Sequence, residues 1–268
     1  MTELVNLAKK LYQPIDRVAH ISKLEFEQKY ASLKHPLAIE DMTSKWPALK
    51  QWNLESWNDK LGNYRFMAVK SDTGSKKEFS YNEYLEYLKC YDHRHPYYIK
   101  DWTFYEDFED MKNDYQVLPH FENWLWSLPP DAMEFTWIYI GPKYSYSKIH
   151  LDVFMTNAWN VVVEGAKLWL FFPEGQAPEI SNDDPNGYYF PYDGKTQGYY
   201  TIQRKGEIVF TPGNWHHMVI NLEHSIALTE NFINHTNYEM VEDYLRKHNN
   251  NIALGILDSL KSKFFVNK

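Results

Sequence analysis

Hydrophobic and polar residues follow different patterns in three regions of the chain. Residues 1–95 are helical or mixed: Leu24-Glu25-Phe26-Glu27 begins an amphipathic stretch, and Asn82 to Leu88 has helical spacing after Ser80, a favoured capping residue. In residues 96–235, short runs rich in β-branched and aromatic residues alternate with Pro, Gly and Asn. Helical periodicity returns in residues 236–268, from Tyr238 to Phe265.

The central region contains eight short β-rich runs bounded by turn residues. This pattern predicts a mainly β jelly roll with helical additions, folded as one domain over residues 1–268. The segment from Gly175 to Gly198 is too long for a simple turn, so we expect a loop over the barrel mouth. The predicted strands are Tyr97–Ile99, Phe135–Ile140, Lys148–Phe154, Trp159–Val163, Leu168–Phe172, Glu207–Thr211, His216–Asn221 and Ser225–Ile233.

Composition narrows the class of protein. The 268 residues are 44% hydrophobic, enough for one sizeable core, and 17% aromatic, which fits a barrel whose inward positions and rims hold large rings. The single cysteine, Cys90, excludes an internal disulfide framework, and the N-terminal sequence has no long apolar run, so we expect a cytoplasmic protein without a membrane partner. The net charge of -8 argues against a nucleic-acid surface and is compatible with a basic substrate.

A candidate metal-binding pair lies in Ile149-His150-Leu151-Asp152-Val153. If this segment is a strand, His150 and Asp152 share one face and the three aliphatic residues share the other. Such a pair alone would equally fit a strand with a hydrogen-bonded histidine and a solvated aspartate. A third ligand is needed before a metal site is favoured.

The third candidate ligand follows the Pro212-Gly213 turn, where a new strand would point an imidazole inward. Parity alone does not decide between His216 and His217. Two imidazoles and one carboxylate leave three metal positions open, which is what non-haem Fe(II) needs to bind a bidentate keto acid and O2.

A candidate anion site lies nearby in sequence. The segment Glu164-Gly165 reads as a tight turn between two strands, and Lys167, Trp169 and Phe171 share one face of the second. A buried ammonium is costly unless paired, so Lys167 would suit an anion such as the distal carboxylate of 2-oxoglutarate, although a lysine at a strand end can also extend to water. Thr229 and Asn231 share one face of an otherwise apolar run and would need polar partners inside the barrel.

Taken together and in order, these segments resemble the Jumonji C hydroxylases of the cupin-like class, from about Lys23 to Asn237. The resemblance rests on His150-Leu151-Asp152, Asn160, Gly165-Ala166-Lys167, Pro212-Gly213-Asn214-Trp215-His216-His217, Asn221-Leu222 and Thr229-Glu230-Asn231-Phe232. Within the family, the chain is most similar to the lysyl hydroxylases of the translation termination factor. That closer likeness rests on Tyr98-Ile99-Lys100-Asp101-Trp102, Tyr139-Ile140-Gly141-Pro142, Lys167 to Pro173 and Gly213 to His217.

The resemblance implies a double-stranded β-helix that uses Fe(II), 2-oxoglutarate and O2. It also implies roles for nine residues. The iron ligands would be His150, Asp152 and His217. The far carboxylate of 2-oxoglutarate would be held by Lys167 and Tyr98, in a pocket also lined by Ser147, Asn160, Thr229 and Asn231.

The implied activity is hydroxylation of an amino-acid side chain, with lysine in a protein as the first expectation. A free amino acid or small peptide is an alternative substrate. The chain shows no Cys/His zinc cluster or reader domain, so an N-methyl-lysine demethylase is a weaker alternative. A non-enzymatic β-barrel binding module is the weakest, because the candidate ligands and Lys167 are all present.

Acidic residues suggest which partner the site prefers. They predict a cationic substrate at the pocket mouth, although solvated acidic loops would look the same in sequence. A homodimer through the C-terminal helices is a further expectation. The residues concerned are Asp101, Glu106, Asp107, Glu109 and Asp110 after Tyr98, and Asp183, Asp184 and Asp193 in the long loop.

Overall fold

The computed structural model describes residues 2–129, 135–178 and 190–265. Its seven α-helices are α1 (Thr2–Leu11), α2 (Lys23–Phe26), α3 (Ala48–Gln51), α4 (Asn58–Leu61), α5 (Tyr81–Leu88), α6 (Tyr238–Lys247) and α7 (Asn251–Phe265). The strands are β1 (Gln13–Pro14), β2 (Asp16–Val18), β3 (Leu37–Ile39), β4 (Arg65–Lys70), β5 (Lys76–Ser80), β6 (Tyr97–Trp102), β7 (Thr136–Gly141), β8 (Tyr146–His150), β9 (Asn157–Glu164), β10 (Ala166–Phe172), β11 (Tyr199–Arg204), β12 (Ile208–Thr211), β13 (His216–Asn221) and β14 (Ser225–Phe232). A π-helical turn follows α2, and short 3-10 turns lie between β6 and β7.

The strands form two sheets. The smaller sheet has the order β1-β11-β10-β13-β8, and the larger has the order β2-β3-β12-β9-β14-β7-β6-β4-β5. Residues from both sheets meet in one buried cluster, which includes Trp169 and Phe171 of β10 and Val209 of β12. The predicted mainly β jelly roll with helical additions, a double-stranded β-helix of the cupin type, is therefore confirmed.

All eight predicted runs contain a strand, but β8 ends at His150 rather than continuing to residue 154. The predicted tight turn at Glu164-Gly165 lies between β9 and β10, and the chain crosses there from one sheet to the other. In addition, β1 to β5 come from residues 1–95 and β11 was not predicted, so the sheets extend beyond residues 96–235.

The outer face of the larger sheet holds most of the buried aromatic residues. Trp159, Phe210 and Phe232 project from this sheet into a cluster with rings from the N-terminal region, including Trp52 and Tyr84. The rings pack edge to face or stacked at ordinary centroid distances, such as 6.0 Å between Phe121 and Trp159. Most of the buried aromatic side chains thus pack between the N-terminal region and the outer face of the barrel. We expected them at the inward positions and rims of the barrel.

Helices cover the remaining apolar surfaces. α1 packs Leu4 and Ala8 against the outer face of the smaller sheet. α6 and α7 pack on each other and on the turn containing Trp124 and Leu125. Whether these C-terminal helices also form a dimer stays a prediction. None of the helices described is long and apolar enough to cross a membrane.

The crossing between the sheets depends on Gly165. Its φ is +82°, in the left-handed region that favours glycine, and a Cβ atom there would lie 2.1 Å from the carbonyl oxygen of His224. Gly74 has a similar φ of +73°, but a Cβ atom would have no neighbour within 4 Å. Comparing the same substitution at the two glycines therefore separates the free-energy cost of a left-handed backbone from the cost of a steric clash.

We expect Gly165→Ala to lower the free energy of unfolding by about 3 kcal/mol more than Gly74→Ala, which should cost only the roughly 1–2 kcal/mol of a left-handed alanine. Urea unfolding monitored by tryptophan fluorescence measures both variants. Equal losses in the two variants would contradict a tight contact at the Gly165 crossing.

Candidate active site

A cavity of about 470 Å³ lies between the two sheets, and all nine residues predicted for the site line it. The smaller sheet contributes one side of the cavity and the larger sheet the other. The structure thus brings together side chains that are up to 133 positions apart in the chain. The nine are Tyr98, Ser147, His150, Asp152, Asn160, Lys167, His217, Thr229 and Asn231.

Three of these residues form a compact cluster of metal-ligand type. One side-chain nitrogen or oxygen from each of His150, Asp152 and His217 lies within 4.8 Å of the others. The two imidazole rings are 4.3 Å apart between centroids, and His217 Nε2 is 3.9 Å from Asp152 Oδ1. Such a set of two nitrogens and one oxygen could hold a divalent metal ion.

The backbone reaches this arrangement in a different way from the one we expected. His150 and His217 are direct partners in the β8–β13 pairing. Asp152, however, lies beyond the end of β8, before a 3-10 turn at Val153–Met155 that contains the left-handed residue Phe154 (φ 53°). The carboxylate is therefore held by a turn, and the expectation that a continuous strand aligns His150 with Asp152 was wrong.

Glycine allows this turn to pack closely beside β13. A Cβ atom on Gly213 would lie 1.9 Å from the carbonyl oxygen of Met155, so only glycine fits without a shift of the backbone. Gly213 N also donates to Asn157 Oδ1 at 3.1 Å. The Pro212-Gly213 turn is thereby fixed against the segment that holds Asp152.

Hydrogen bonds orient both imidazoles. His150 Nδ1 donates to Lys148 O at 2.7 Å, and His217 Nδ1 donates to Trp215 O at 3.1 Å. Each Nε2 therefore has the lone pair that a metal would use. Burial, with a smaller effect of His150, lowers the pKa of His217 well below its ordinary value, so this imidazole is neutral near pH 7.

The carboxylate of Asp152 has an unsatisfied atom. Oδ2 is buried and has no hydrogen-bond partner among the described residues. Burial raises the pKa of Asp152, against smaller opposing effects of His150 and the Asn231 amide. A buried carboxylate oxygen without a partner is costly, and a bound cation would remove that cost, so the donor set fits a metal.

The neighbouring His216 lies outside this cluster. It is only partly buried, and the structure groups His217, not His216, with His150 and Asp152. Both histidines belong to β13, where His217 lies opposite Phe171 of β10 and His216 lies opposite Phe172. Because successive residues of a strand point to opposite faces, the two imidazoles lie on opposite faces of the sheet.

Lys167 lies at another part of the cavity and is 2% exposed. Its Nζ donates to the Tyr98 hydroxyl oxygen at 3.1 Å and to Asn221 Oδ1 at 2.8 Å. Burial, with a smaller contribution from the nearby Lys100, lowers the pKa of Lys167 to about 7. Neither hydrogen-bond partner carries a negative charge, so this ammonium could accept an anionic ligand.

Polar side chains of the larger sheet face the same cavity. Thr229 Oγ1 donates to Trp159 O at 2.7 Å, and Asn231 Nδ2 donates to Thr156 Oγ1 at 2.9 Å, which are the internal partners that these residues needed. Asn160 Oδ1 is buried with no hydrogen-bond partner among the described residues. It could accept a hydrogen bond from a ligand.

Sequence reasoning missed several residues around the cavity. Asn221 was noted only for its place in a motif, yet it joins Lys167 to Ser145, to which its Nδ2 donates at 2.7 Å. Trp169 stacks on His217 at 5.8 Å between ring centroids and donates from Nε1 to Gln203 Oε1 at 2.7 Å. Trp169 could have been predicted as a cavity residue, because the sequence places it on the same strand face as Lys167. Gln203 could not, because it lies on β11, which we did not predict.

Of the acidic residues expected near the mouth, Asp101 lines the cavity. It has a left-handed φ of 55° at an irregularity of the β6–β7 pairing, and Oδ1 accepts from the Tyr139 hydroxyl at 2.5 Å. By contrast, Asp107 accepts from Tyr64 and Asp110 pairs with Lys60, away from the cavity lining. Glu106 and Glu109 are not among the lining residues either, and Asp193 caps its own turn. Asp183 and Asp184 lie outside the described residues.

Comparisons with known proteins show which proteins the chain is similar to. Residues 23–238 match the sequence model of a protein family described as the cupin-like domain. The chain is 29% identical over 252 residues to the arginine-specific demethylase JMJ22 of Arabidopsis thaliana, covering 88% of this chain and 49% of that protein. It is 31% identical over 166 residues to the 2-oxoglutarate and iron-dependent oxygenase JMJD4 of Danio rerio, covering 56% and 39%.

A further relative combines two activities in its name. The chain is 27% identical over 247 residues to the bifunctional arginine demethylase and lysyl-hydroxylase psr-1 of Caenorhabditis elegans, covering 81% of this chain and 60% of that protein. The chain spans between 39% and 60% of the length of these three relatives.

The charge of Lys167 should cost stability. Its pKa is lowered in the folded protein, so the unfolded chain binds the proton more tightly, and the full cost is present below about pH 7 and disappears as the pH approaches 10.5. We expect Lys167→Met to raise the free energy of unfolding by roughly 1–3 kcal/mol near pH 6, and by less near pH 9.

Urea unfolding without added ligand measures this gain. Lys70→Met is the control, because the Lys70 ammonium lies over the Tyr97 ring and outside the cavity lining. A Lys167→Met protein that is less stable than the parent at both pH values would contradict the predicted cost of burying this charge.

Proposed function

The chain belongs to the cupin-like domain family, in its Jumonji C group, and from this we infer that it is an Fe(II)- and 2-oxoglutarate-dependent oxygenase that hydroxylates an amino-acid side chain. The observation that supports this most strongly is the presence of a His-Asp-His cluster and the buried Lys167 in one cavity. The first group suits a metal and the second suits a carboxylate, and the proposed reaction needs both.

His150, Asp152 and His217 would hold the iron. Bound there, the metal would supply the coupling of O2 reduction to decarboxylation of 2-oxoglutarate, which yields succinate, CO2 and an oxygen atom for the substrate. The chain's own contribution is to keep His217 neutral by burial, to fix the orientation of both imidazoles through Lys148 O and Trp215 O, and to leave metal positions open.

Lys167 and Tyr98 would hold the far carboxylate of 2-oxoglutarate. Lys167 supplies the charge and Tyr98 supplies a hydroxyl group at 3.1 Å from it. The other residues proposed to line the co-substrate pocket would fix the keto acid end and exclude water. They are Ser147, Asn160, Thr229 and Asn231.

We propose lysine in a protein as the substrate. The lysyl-hydroxylase part of the psr-1 name supports this, and Asp101 offers a carboxylate at the cavity for a cationic side chain. N-methyl demethylation is the second candidate, favoured by the demethylase names of JMJ22 and psr-1. Hydroxylation of a free amino acid or small peptide is a third, and a non-enzymatic binding module is disfavoured by the intact ligand cluster.

Mass spectrometry distinguishes these candidates. Lysine peptides and their N-methylated forms are incubated with the protein, Fe(II), 2-oxoglutarate and ascorbate. Hydroxylation adds one oxygen to the product, whereas demethylation removes a methyl group as formaldehyde. Formaldehyde release without any oxygen-bearing product would replace the hydroxylase proposal with the demethylase.

We predict that His150→Ala, Asp152→Ala and His217→Ala each abolish 2-oxoglutarate turnover, because an open iron site of this kind has three protein ligands. His216→Ala, the matched control one residue away, should retain turnover. Succinate formation measures all four variants, and an inactive His216 variant beside an active His217 variant would reverse the ligand assignment.

We predict that Asp101→Asn weakens binding of a lysine peptide about 5-fold, equivalent to about 1 kcal/mol, because a partly exposed ion pair is worth little more. The 2-oxoglutarate affinity should not change, and added salt should weaken peptide binding to the parent protein more than to the variant.

Asp107→Asn is the control for this prediction, since Asp107 accepts from Tyr64 and does not line the cavity. Fluorescence anisotropy of a labelled peptide gives the affinities. Equal effects of the two substitutions would remove Asp101 from the proposed substrate contact.

A further inference from the structure

A second lysine, Lys100, lies beside the same tyrosine as Lys167. Lys100 Nζ is 5.1 Å from the centroid of the Tyr98 ring, and Lys167 Nζ is 5.6 Å from it. Both side chains line the cavity between the sheets. Tyr98 is thus shared by two ammonium groups, one from β6 and one from β10.

The surroundings of Lys100 do little to compensate its charge. Its described hydrogen bond is to a neutral group, Tyr146 O at 3.0 Å, while Asp101 on the same strand uses Oδ1 to accept from Tyr139. The pKa of Lys100 is lowered to about 8, mainly by burial, with Asp101 opposing the change and Lys148 adding to it. The two lysines also repel each other, since Lys100 contributes to the lowered pKa of Lys167.

Two partly desolvated ammonium groups beside one tyrosine ring are an expensive arrangement unless an anion binds to them. A lysine side chain is long and flexible, and one with only a structural role could keep its ammonium in water. An anion with two carboxylate oxygens can accept from both ammonium groups at once, which makes each hydrogen bond charge-assisted.

We propose that Lys100 is a second cation of the co-substrate pocket, which together with Lys167 holds the far carboxylate of 2-oxoglutarate and selects dicarboxylic over monocarboxylic keto acids. This inference rests on the proposed function and adds a specificity-determining residue to it. The metal ligands and the keto acid end of the co-substrate are not involved. Lys100 therefore contributes to the binding of one functional group only.

A binding cycle between Lys100 and the ligand carboxylate tests this. Two ligands are compared on Mn(II)-loaded protein by calorimetry: 2-oxoglutarate, and 2-oxopentanoate, which has the same keto acid end and chain length but a methyl group in place of the far carboxylate. We expect Lys100→Met to weaken 2-oxoglutarate binding about 10-fold and 2-oxopentanoate binding less than about 2-fold. Lys100→Arg, which keeps the charge, should retain most of the preference for 2-oxoglutarate.

Lys70→Met is the matched control, because its ammonium lies 5.2 Å from the ring centroid of the adjacent Tyr97 but does not line the cavity. It should leave both affinities unchanged. Thermal unfolding of each variant shows whether it is folded, and Lys100→Gln replaces Lys100→Met if the latter is not.

Three outcomes would overturn the inference. An equal loss for the two ligands would make Lys100 a structural residue, and no loss for either would remove it from the pocket. In both cases the parent protein still binds 2-oxoglutarate and the proposed function stands. A parent protein that binds no 2-oxoglutarate in the presence of metal would instead overturn the proposed function and this inference with it.

Discussion

The ammonium group of Lys167 is enclosed between two sheets. Burying this charge costs free energy, and the polar groups that line the cavity around it reduce that cost. The ammonium donates to two neutral groups, the Tyr98 hydroxyl oxygen and Asn221 Oδ1, so its charge is hydrogen-bonded but not neutralised. Asn221 is itself fixed by Ser145 and Ser225. Such an arrangement lowers the stability of a fold that binds no ligand, whereas it suits a site that binds a dicarboxylic acid. The lowered pKa of Lys167 expresses this cost, which a bound carboxylate would offset.

The same logic applies to the candidate metal ligands. His150 and His217 are brought together by strand pairing, and each imidazole is oriented by a backbone carbonyl group only two residues away. Asp152 is brought in by a turn with unusual backbone angles, which packs against Gly213. Left-handed residues are unfavourable in isolation, and so is a buried carboxylate oxygen with no partner in the part of the chain that the structure describes. Both are found at the cluster where a cation would bind.

Much of the fold could be predicted from sequence because strand periodicity and turn residues are local signals. Two examples that the structure bears out are Ser80 as the cap of α5 and the alternation of polar and apolar residues along β14. In β14, Thr229 and Asn231 line the cavity, while Ile226, Leu228 and Phe232 pack in the buried cluster outside it. Local signals do not reveal which sheet a strand joins, so the turn at Gly165 could be predicted but not that it connects the two sheets.

The same limit applies to the site. The spacing of His150 and Asp152 predicted their proximity, but through a continuous strand that does not exist. Asn221 and Lys100 were missed as site residues because their roles depend on packing between distant strands, for which a single sequence contains no direct signal.

We infer that the histidine and aspartate cluster and Lys167 form one site, in which a metal and 2-oxoglutarate bind together. The most direct test is a calorimetric titration of 2-oxoglutarate into the parent protein, with and without bound Mn(II). We expect one equivalent of 2-oxoglutarate to bind at least about 10-fold more tightly in the presence of the metal, because the keto acid would contact both the ion and the protein. An affinity that does not depend on the metal, or no binding at all, would contradict it.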